Sequence, residues 1–390
     1  MPAAADGEAV AVAEADPVAA SLGDALTVDG SELAIELAAG GVVDAPHDAT
    51  TNAAHSAIAP RRTSLPIDAS LHQQIVPGVG LDDNRGRPEP SVRRGRGYTP
   101  AVPPLSNATI ATVGSGVMAE AMIAGLLRDG LVAPDRVIAS HPRAERREAL
   151  EREYGIRTVA ANADAVRDAD VILLGIKPQM LERVGGDIGP HLRRGQLVLS
   201  VLAGATTKAL TGILGHDQVV RSMPNTPARL GKGVSVWYAT PATTDEQRAQ
   251  AAALLGALGH QLEVDDEKMV AMATAVSGTG PTYVFLVMEA LIDAAVHLGF
   301  PRHIAHDLVI ETLEGSTLFA RQSGMHPAEL RNMVTSPGGT SAAALHELES
   351  GRLRTVLSEA VWAAFRRTVE LGDQLEAHLD TGDTAARPSS

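Results

Sequence analysis

The sequence contains no cysteine, which excludes disulfides and thiolate metal sites and is compatible with a cytoplasmic protein. Aromatic residues are scarce at 3%, so the bulk of a core has to come from Leu, Val, Ile, Met and Ala, a composition that suits closely packed helices and a parallel sheet. Positive charge is short as well. The formal net charge of −14 argues against a nucleic-acid partner, because such proteins usually present a basic face. No uninterrupted apolar run approaches the roughly 20 residues of a membrane helix, so no membrane partner is expected. The N-terminus has no basic stretch followed by an apolar one, so no secretory signal is expected either. Hydrophobic residues make up 45% of the 390, ample for two or three domains.

Residues 1–105 are rich in Ala, Asp, Glu, Gly and Pro, show no sustained period and end in an Arg/Gly/Pro stretch from Arg85 to Pro104. A disordered extension is expected there. Ser31 to Ala39 can be read as a short helix on a partner and the basic run Arg93 to Gly97 as a contact for an acidic surface, but a solvated tail explains both. Residues 106–265 are expected to form a Rossmann-type, doubly wound α/β domain, residues 266–380 an all-helical one, and residues 381–390 a disordered tail.

The character changes at Ala108. A β-branched run from Asn107 to Val113 leads into Gly114-Ser115-Gly116-Val117-Met118-Ala119 and then a helical pattern. Strand, Gly-rich turn and helix are the context that a dinucleotide fingerprint requires. Gly114 permits the tight turn, Gly116 lets a pyrophosphate come close, Ala119 allows close helix–strand packing, and the helix start receives the charge. The next strand, Arg136 to Ser140, ends where an adenosine ribose would lie. An acidic residue is usual there for NAD; this chain has Ser140, His141, Pro142 and Arg143, followed by Arg146 and Arg147, a spelling that favours the 2′-phosphate of NADPH. A solvated helix face is the alternative reading for these arginines.

Asp170 to Ile176 and Gln196 to Leu202 read as strands buried on both faces, with helical patterns between and after them, including Thr206 to Leu214, so a parallel sheet is expected. Ligands lie beyond the carboxyl ends of such strands. That is where Gly175 to Pro178, Ala203 with Gly204, and Met223 to Pro227 fall. Lys177 is one of four lysines in a chain that otherwise uses Arg. Two strands between Val219 and Thr240, a helix from Thr244 to Leu258 and a strand from Gln261 to Val264 complete this half.

Beyond Asp265 the pattern is helical: Asp266 to Leu298, interrupted at Ser277 to Pro281, then Arg302 to Gln322, Pro327 to Met333, Ala342 to Ser350 and Leu353 to Leu379. These long apolar helices exceed what one small domain can cover, which implies burial against another subunit. The stretch Ser336-Pro337-Gly338-Gly339-Thr340-Ser341 gives a compact turn before a helix whose first N–H groups lack partners, an arrangement suited to a carboxylate. A simple N-capped helix fits the same composition. His297, His303 and His306 lie near a helix junction without carboxylates in metal-ligand spacing, so no metal site is expected.

The motifs GSGVMAEAM, GIKPQ, RSMPNTP, VSGTGPTYVFLVMEAL and VTSPGGTSAAALHELESG, in unbroken order from Asn107 to Leu379, resemble the pyrroline-5-carboxylate reductase family, which makes proline from its cyclic imine. The resemblance implies an oxidoreductase of amino-acid biosynthesis, using NADPH or possibly NADH, that assembles as a homodimer or a ring of dimers. It places the cofactor on Gly114, Ser115, Gly116, Val117, Met118, Ser140, Asn162, Gly175, Ile176, Lys177, Pro178, Ala203 and Gly204. It places the substrate carboxylate on the turn of Ser336, Gly338, Gly339, Thr340 and Ser341, with Glu267 as a further substrate contact and the Ser341 hydroxyl near the ring nitrogen. Three positions depart from the family: Ser341 stands for Thr, Met333 for an Asn near the cofactor in some members, and Thr282 for a common Ala.

The chemistry agrees with that resemblance. Reducing a C=N bond needs hydride at carbon and a proton at nitrogen, and the imine can be protonated beforehand, so no strong protein base is required. Ser341 then relays the proton or only orients the ring. Two alternatives compete. A 3-hydroxyacid dehydrogenase needs a base, which that family resembles in carrying as a Lys on the first long helix after a Gly-x-Gly turn; the run from Gly278 to Leu291 has no Lys, His or Arg. A non-catalytic NADPH-binding protein would not need the anion turn.

Overall fold

A computed structural model describes residues 92–93 and 104–382. Apart from Val92–Arg93 and residues 104–105, the extension expected over residues 1–105 lies outside the described residues, as do the candidate helix Ser31 to Ala39 and the last eight residues.

The alternation of β-branched and apolar residues builds a nine-stranded sheet: β1 (Val92–Arg93), β2 (Ile110–Val113), β3 (Val137–Ser140), β4 (Arg157–Val159), β5 (Val171–Leu174), β6 (Leu197–Ser200), β7 (Val219–Met223), β8 (Gly233–Ala239) and β9 (Gly259–Val264). Its order is β1-β9-β8-β7-β6-β5-β2-β3-β4. From β4 to β7 every pairing is parallel, and the order reverses between β2 and β5, which makes the crevice above those two strands the place for a ligand.

The period-2 rule decides the two layers that cover the sheet. Val171 and Leu173 enter one core, with α1 (Val117–Arg128), α2 (Ala144–Tyr154) and α6 (Asp245–Gly256). Ile172 and Leu174 enter the other, with α3 (Asn162–Val166), α4 (Leu181–Ile188) and α5 (Thr207–Leu214). Leu105 is 1% exposed and belongs to the first core, so the folded chain begins ahead of residue 106.

The sheet departs from the parallel expectation at one edge. β8 runs antiparallel to β7, because the link 224–232, which holds only the short 3-10 turn Thr226–Leu230, is too short for the crossover that parallel pairing demands. β9 then pairs parallel with β8 through the α6 crossover, and β1 adds an antiparallel edge.

The remaining helices are α7 (Lys268–Ala273), α8 (Gly280–His297), α9 (Arg302–Ser323), α10 (Pro327–Met333), α11 (Thr340–Ser350) and α12 (Leu353–Gly382). Between α7 and α8 the glycines do not break the helix. Thr274–Gly278 forms a π turn instead, with the Thr279 N–H donating to Thr274 O at 2.8 Å. Lys268–His297 is therefore one rod, long and apolar enough by length and composition to cross a membrane, although Thr282, Glu289 and Asp293 keep its uninterrupted apolar runs short. No residue of α8 is buried, and Val284, Phe285, Leu286 and Leu291 stand exposed, as do Trp362 and Val356 on α12.

Candidate functional site

The Gly114 turn is built on backbone geometry. Gly114 has φ +82, and a Cβ there would lie 2.5 Å from Ile176 Cγ2 and 3.0 Å from Ile176 N, so no other residue fits between the turns after β2 and β5. A Cβ on Gly175 would meet Ala119 Cβ at 3.0 Å, which is the close helix–strand approach expected of that small position. Gly116 differs. Its φ of −80 suits any residue, and the nearest protein atom to an added Cβ is 3.9 Å away. The protein does not need a glycine here, whereas a phosphate resting on the free N–H groups of Val117 and Met118 does. The residues present thus fit a dinucleotide.

At the adenosine end the structure separates residues that the sequence lists together. Ser140 is fully buried, its hydroxyl within bonding distance of Thr112 O (3.1 Å) and Asn162 Oδ1 (2.9 Å), while the Asn162 amide donates to Asp187 at 3.1 Å. Ser140 and Asn162 therefore shape the rim of the crevice through each other. Arg146 is held by Glu120 at 2.6 Å and by Ser115 O, and Arg147 donates to the carbonyls of His141 and Pro142. Arg143 is exposed and makes no side-chain bond among the described residues, which leaves its guanidinium free for a ligand. Burial, with the three arginines adding to it, holds the His141 imidazole below its ordinary pKa. Tyr154, whose hydroxyl donates to Glu120, is pushed up to about 12, first by burial and then by that carboxylate.

Toward the other end, Lys177 precedes the short turn at Pro178–Met180, and Gly204 turns at φ +77 just before α5. Glu267 stands directly ahead of α7. Its Oε1 accepts from Thr207 N and from Arg221 Nη1, both at 2.7 Å, and its Oε2 accepts from the Thr207 hydroxyl at 2.5 Å. Arg221 is 4% exposed and Glu267 is its ion-pair partner. The carboxylate expected to touch substrate is thus held from two sides by the sheet domain. Asn225, in the turn after β7, donates to Ser277 O at 3.1 Å and accepts from Val234 N, tying that turn to the π turn. Sequence reading singled out the turn but not this residue. An arginine inside the apolar strand β7 was the available signal for Arg221.

The anion turn also shifts. α11 begins at Thr340, with Gly339 as its N-cap, so Thr340 and Ser341 occupy the first helical turn instead of the loop ahead of it. Gly338 turns at φ +70 and Gly339 N donates to Ser336 O at 3.0 Å, which leaves the N–H groups of Thr340, Ser341 and Ala342 pointing out of the helix end. The turn is largely exposed, and no hydrogen bond or ion pair among the described residues joins it to the Gly114 loop. Among the described residues no group of His, Asp and Glu is arranged for a metal.

Two family models match the chain. Residues 109–204 match the model described as NADP oxidoreductase, coenzyme F420-dependent, and residues 267–371 match pyrroline-5-carboxylate reductase dimerisation. The chain is 42% identical to the pyrroline-5-carboxylate reductase of Pseudomonas aeruginosa over 272 residues, 70% of this chain and 99% of that protein. It is 33% identical to that of Escherichia coli over 263 residues, 67% and 97% of the two chains. Among solved structures it is similar to a pyrroline-5-carboxylate reductase from Coxiella burnetii, with TM-score 0.64 and 33% identity over 68% of this chain and 98% of the other. It is likewise similar to the Plasmodium falciparum pyrroline carboxylate reductase with NADP bound, with TM-score 0.64 and 27% identity over 69% and 99%. With the nucleotide turn, the π turn and the α11 helix start in place, the chain belongs to the pyrroline-5-carboxylate reductase family.

Proposed function

We propose that the protein reduces L-1-pyrroline-5-carboxylate to L-proline with NADPH, the last step of proline biosynthesis, as a cytoplasmic homo-oligomer. The observation that carries the choice of chemistry is α8. After the π turn its first three turns contain no Lys, His or Arg, so the base that alcohol oxidation demands is missing, while an imine protonated in solution needs none.

NADPH, when bound, supplies the hydride for the imine carbon. Gly114, Gly116 and the start of α1 seat its pyrophosphate, Arg143 pairs with the 2′-phosphate beside the Ser140–Asn162 rim, and Gly175 to Pro178 with Ala203 and Gly204 line the path of the other half. The substrate carboxylate rests on the α11 helix start, where the unpartnered N–H groups are joined by Ser336, Thr340 and Ser341 as further hydroxyl donors. The Ser341 hydroxyl faces the ring nitrogen, and Glu267, fixed by Arg221 and Thr207, keeps one acceptor position on Oε2 for a ring N–H.

A second copy completes this arrangement. The exposed apolar faces of α8 and α12 lie within the segment that matches the dimerisation model, which favours a protein surface over lipid as their cover. The α11 start of one copy then reaches the nucleotide crevice of its partner. NADPH consumption on addition of pyrroline-5-carboxylate, repeated with NADH and with a 3-hydroxyacid plus NADP, tests the reading. Turnover of the imine with NADPH preferred is expected; oxidation of the hydroxyacid in its place would overturn it.

A further inference from the structure

Toward its C-terminal end α12 packs against the sheet domain, where it closes on the turn between β6 and α5. Thr206, the N-cap of α5, donates from its hydroxyl to Glu376 Oε1 at 2.6 Å, and Lys208 Nζ donates to Glu376 Oε2 at 2.9 Å. The two backbones nearly touch. A Cβ on Gly204 would lie 2.8 Å from Leu371 Cβ, and one on Gly372 would lie 3.0 Å from Gly204 O. Leu375 adds an apolar contact to the core beneath α4 and α5. Glu376 is partly buried, and the Thr206 hydroxyl, then Lys208, hold its carboxyl below the usual range against the opposing effect of burial.

This clasp grips a segment that ligand geometry cares about. A dinucleotide with its pyrophosphate on α1 and its adenosine over β3 extends its other half over β5 and β6, and the β6 turn is Ala203 to Thr206. Gly204 turns there at a positive φ and has no side chain to restrain it, so what packs against it limits the shapes the turn can take. We propose that Glu376 is a positioning residue for cofactor binding: by gripping Thr206 and Lys208 while Gly372 seats against Gly204, the end of α12 sets the turn on which the nicotinamide half rests. The inference rests on the nucleotide reading given above.

The test uses the full-length protein, with the Kd for NADPH from quenching of its fluorescence and steady-state KM and kcat. Glu376→Gln is expected to raise Kd and KM for NADPH about fivefold or more while KM for the imine stays within about twofold, a split that general loss of stability does not produce. Gly372→Ala, which pushes against Gly204 O, changes the same constant in the same direction. Glu370→Gln, which removes an exposed pair with Arg367 on the same helix, leaves NADPH affinity unchanged. Unchanged NADPH constants in both Glu376→Gln and Gly372→Ala, whatever happens to the melting temperature, would overturn the inference. Failure of the unmodified chain to bind NADPH would overturn the nucleotide reading and this inference with it.

Discussion

Where the folded domain begins can be tested on one side chain. Leu105 is 1% exposed in the core that α1 and α6 share, its carbonyl accepts from Ala108 N at 3.1 Å, and the carbonyl of Pro104 accepts from Gln250 at 3.5 Å. Truncating a buried leucine costs about 2–5 kcal/mol through lost transfer energy and the cavity left behind. For Leu105 a value of about 3 kcal/mol, near the middle of that range, applies. At about 2–4 °C per kcal/mol for a domain of this size class, Leu105→Ala should lower the melting temperature by roughly 6–12 °C. A chain starting at residue 106 should show at least that loss relative to one starting at residue 104, by scanning calorimetry at equal concentration. Turnover at 25 °C should match in both, since no site residue is removed. Equal melting temperatures would refute the placement of Leu105 in the core.

Three substitutions probe the site. Gly114→Ala forces a Cβ against Ile176 at a left-handed position and should raise KM for NADPH about tenfold or more, with a smaller effect on KM for the imine. Arg143→Ala should weaken NADPH about 10- to 100-fold in kcat/KM and leave NADH nearly unchanged, because only the 2′-phosphate loses a charge-assisted bond; equal losses for both cofactors would refute that role. The Ser341 hydroxyl bonds no protein group among the described residues, so Ser341→Ala should leave the melting temperature alone and lower kcat about 10- to 100-fold. Unchanged kinetics would show the hydroxyl to be dispensable.

What the chain discloses locally is what its neighbours in sequence enforce. β5 was legible because Val171 to Leu174 are buried on both faces, and the Gly114 turn because its glycines sit between a strand and a helix. The interruption was legible at Ser277 to Pro281 as a break or kink, but not its form as a π turn, since i+5 bonding is not written in composition. The antiparallel β8 turned on a link too short for a crossover, a topological constraint that no strand pattern contains. Long-range pairs were out of reach: Glu376 lies 170 positions from Thr206, and Arg221 lies 46 from Glu267. The α11 turn was legible as a helix start with spare donors, and its neighbour across the crevice was not.

Complementation tests whether that neighbour belongs to the partner chain, as proposed above. Within one chain the α11 start is largely exposed and unbonded to the nucleotide loop, and the apolar faces of α8 and α12 are open. If one copy supplies the nucleotide loop and its partner supplies Ser341, each site of a dimer mixes residues from both chains. Gly114→Ala and Ser341→Ala, each at about a tenth of unmodified activity or less at limiting NADPH, then combine in a mixed dimer to give one site with both defects and one with neither. Random reassociation makes about half the dimers mixed, so the mixture should recover about a quarter of unmodified activity, measured after the subunits are exchanged and reassociated. If each chain completes its own site, every site in the mixed dimer carries a defect and no activity returns. The recovered fraction therefore reads out which chain the substrate carboxylate rests on.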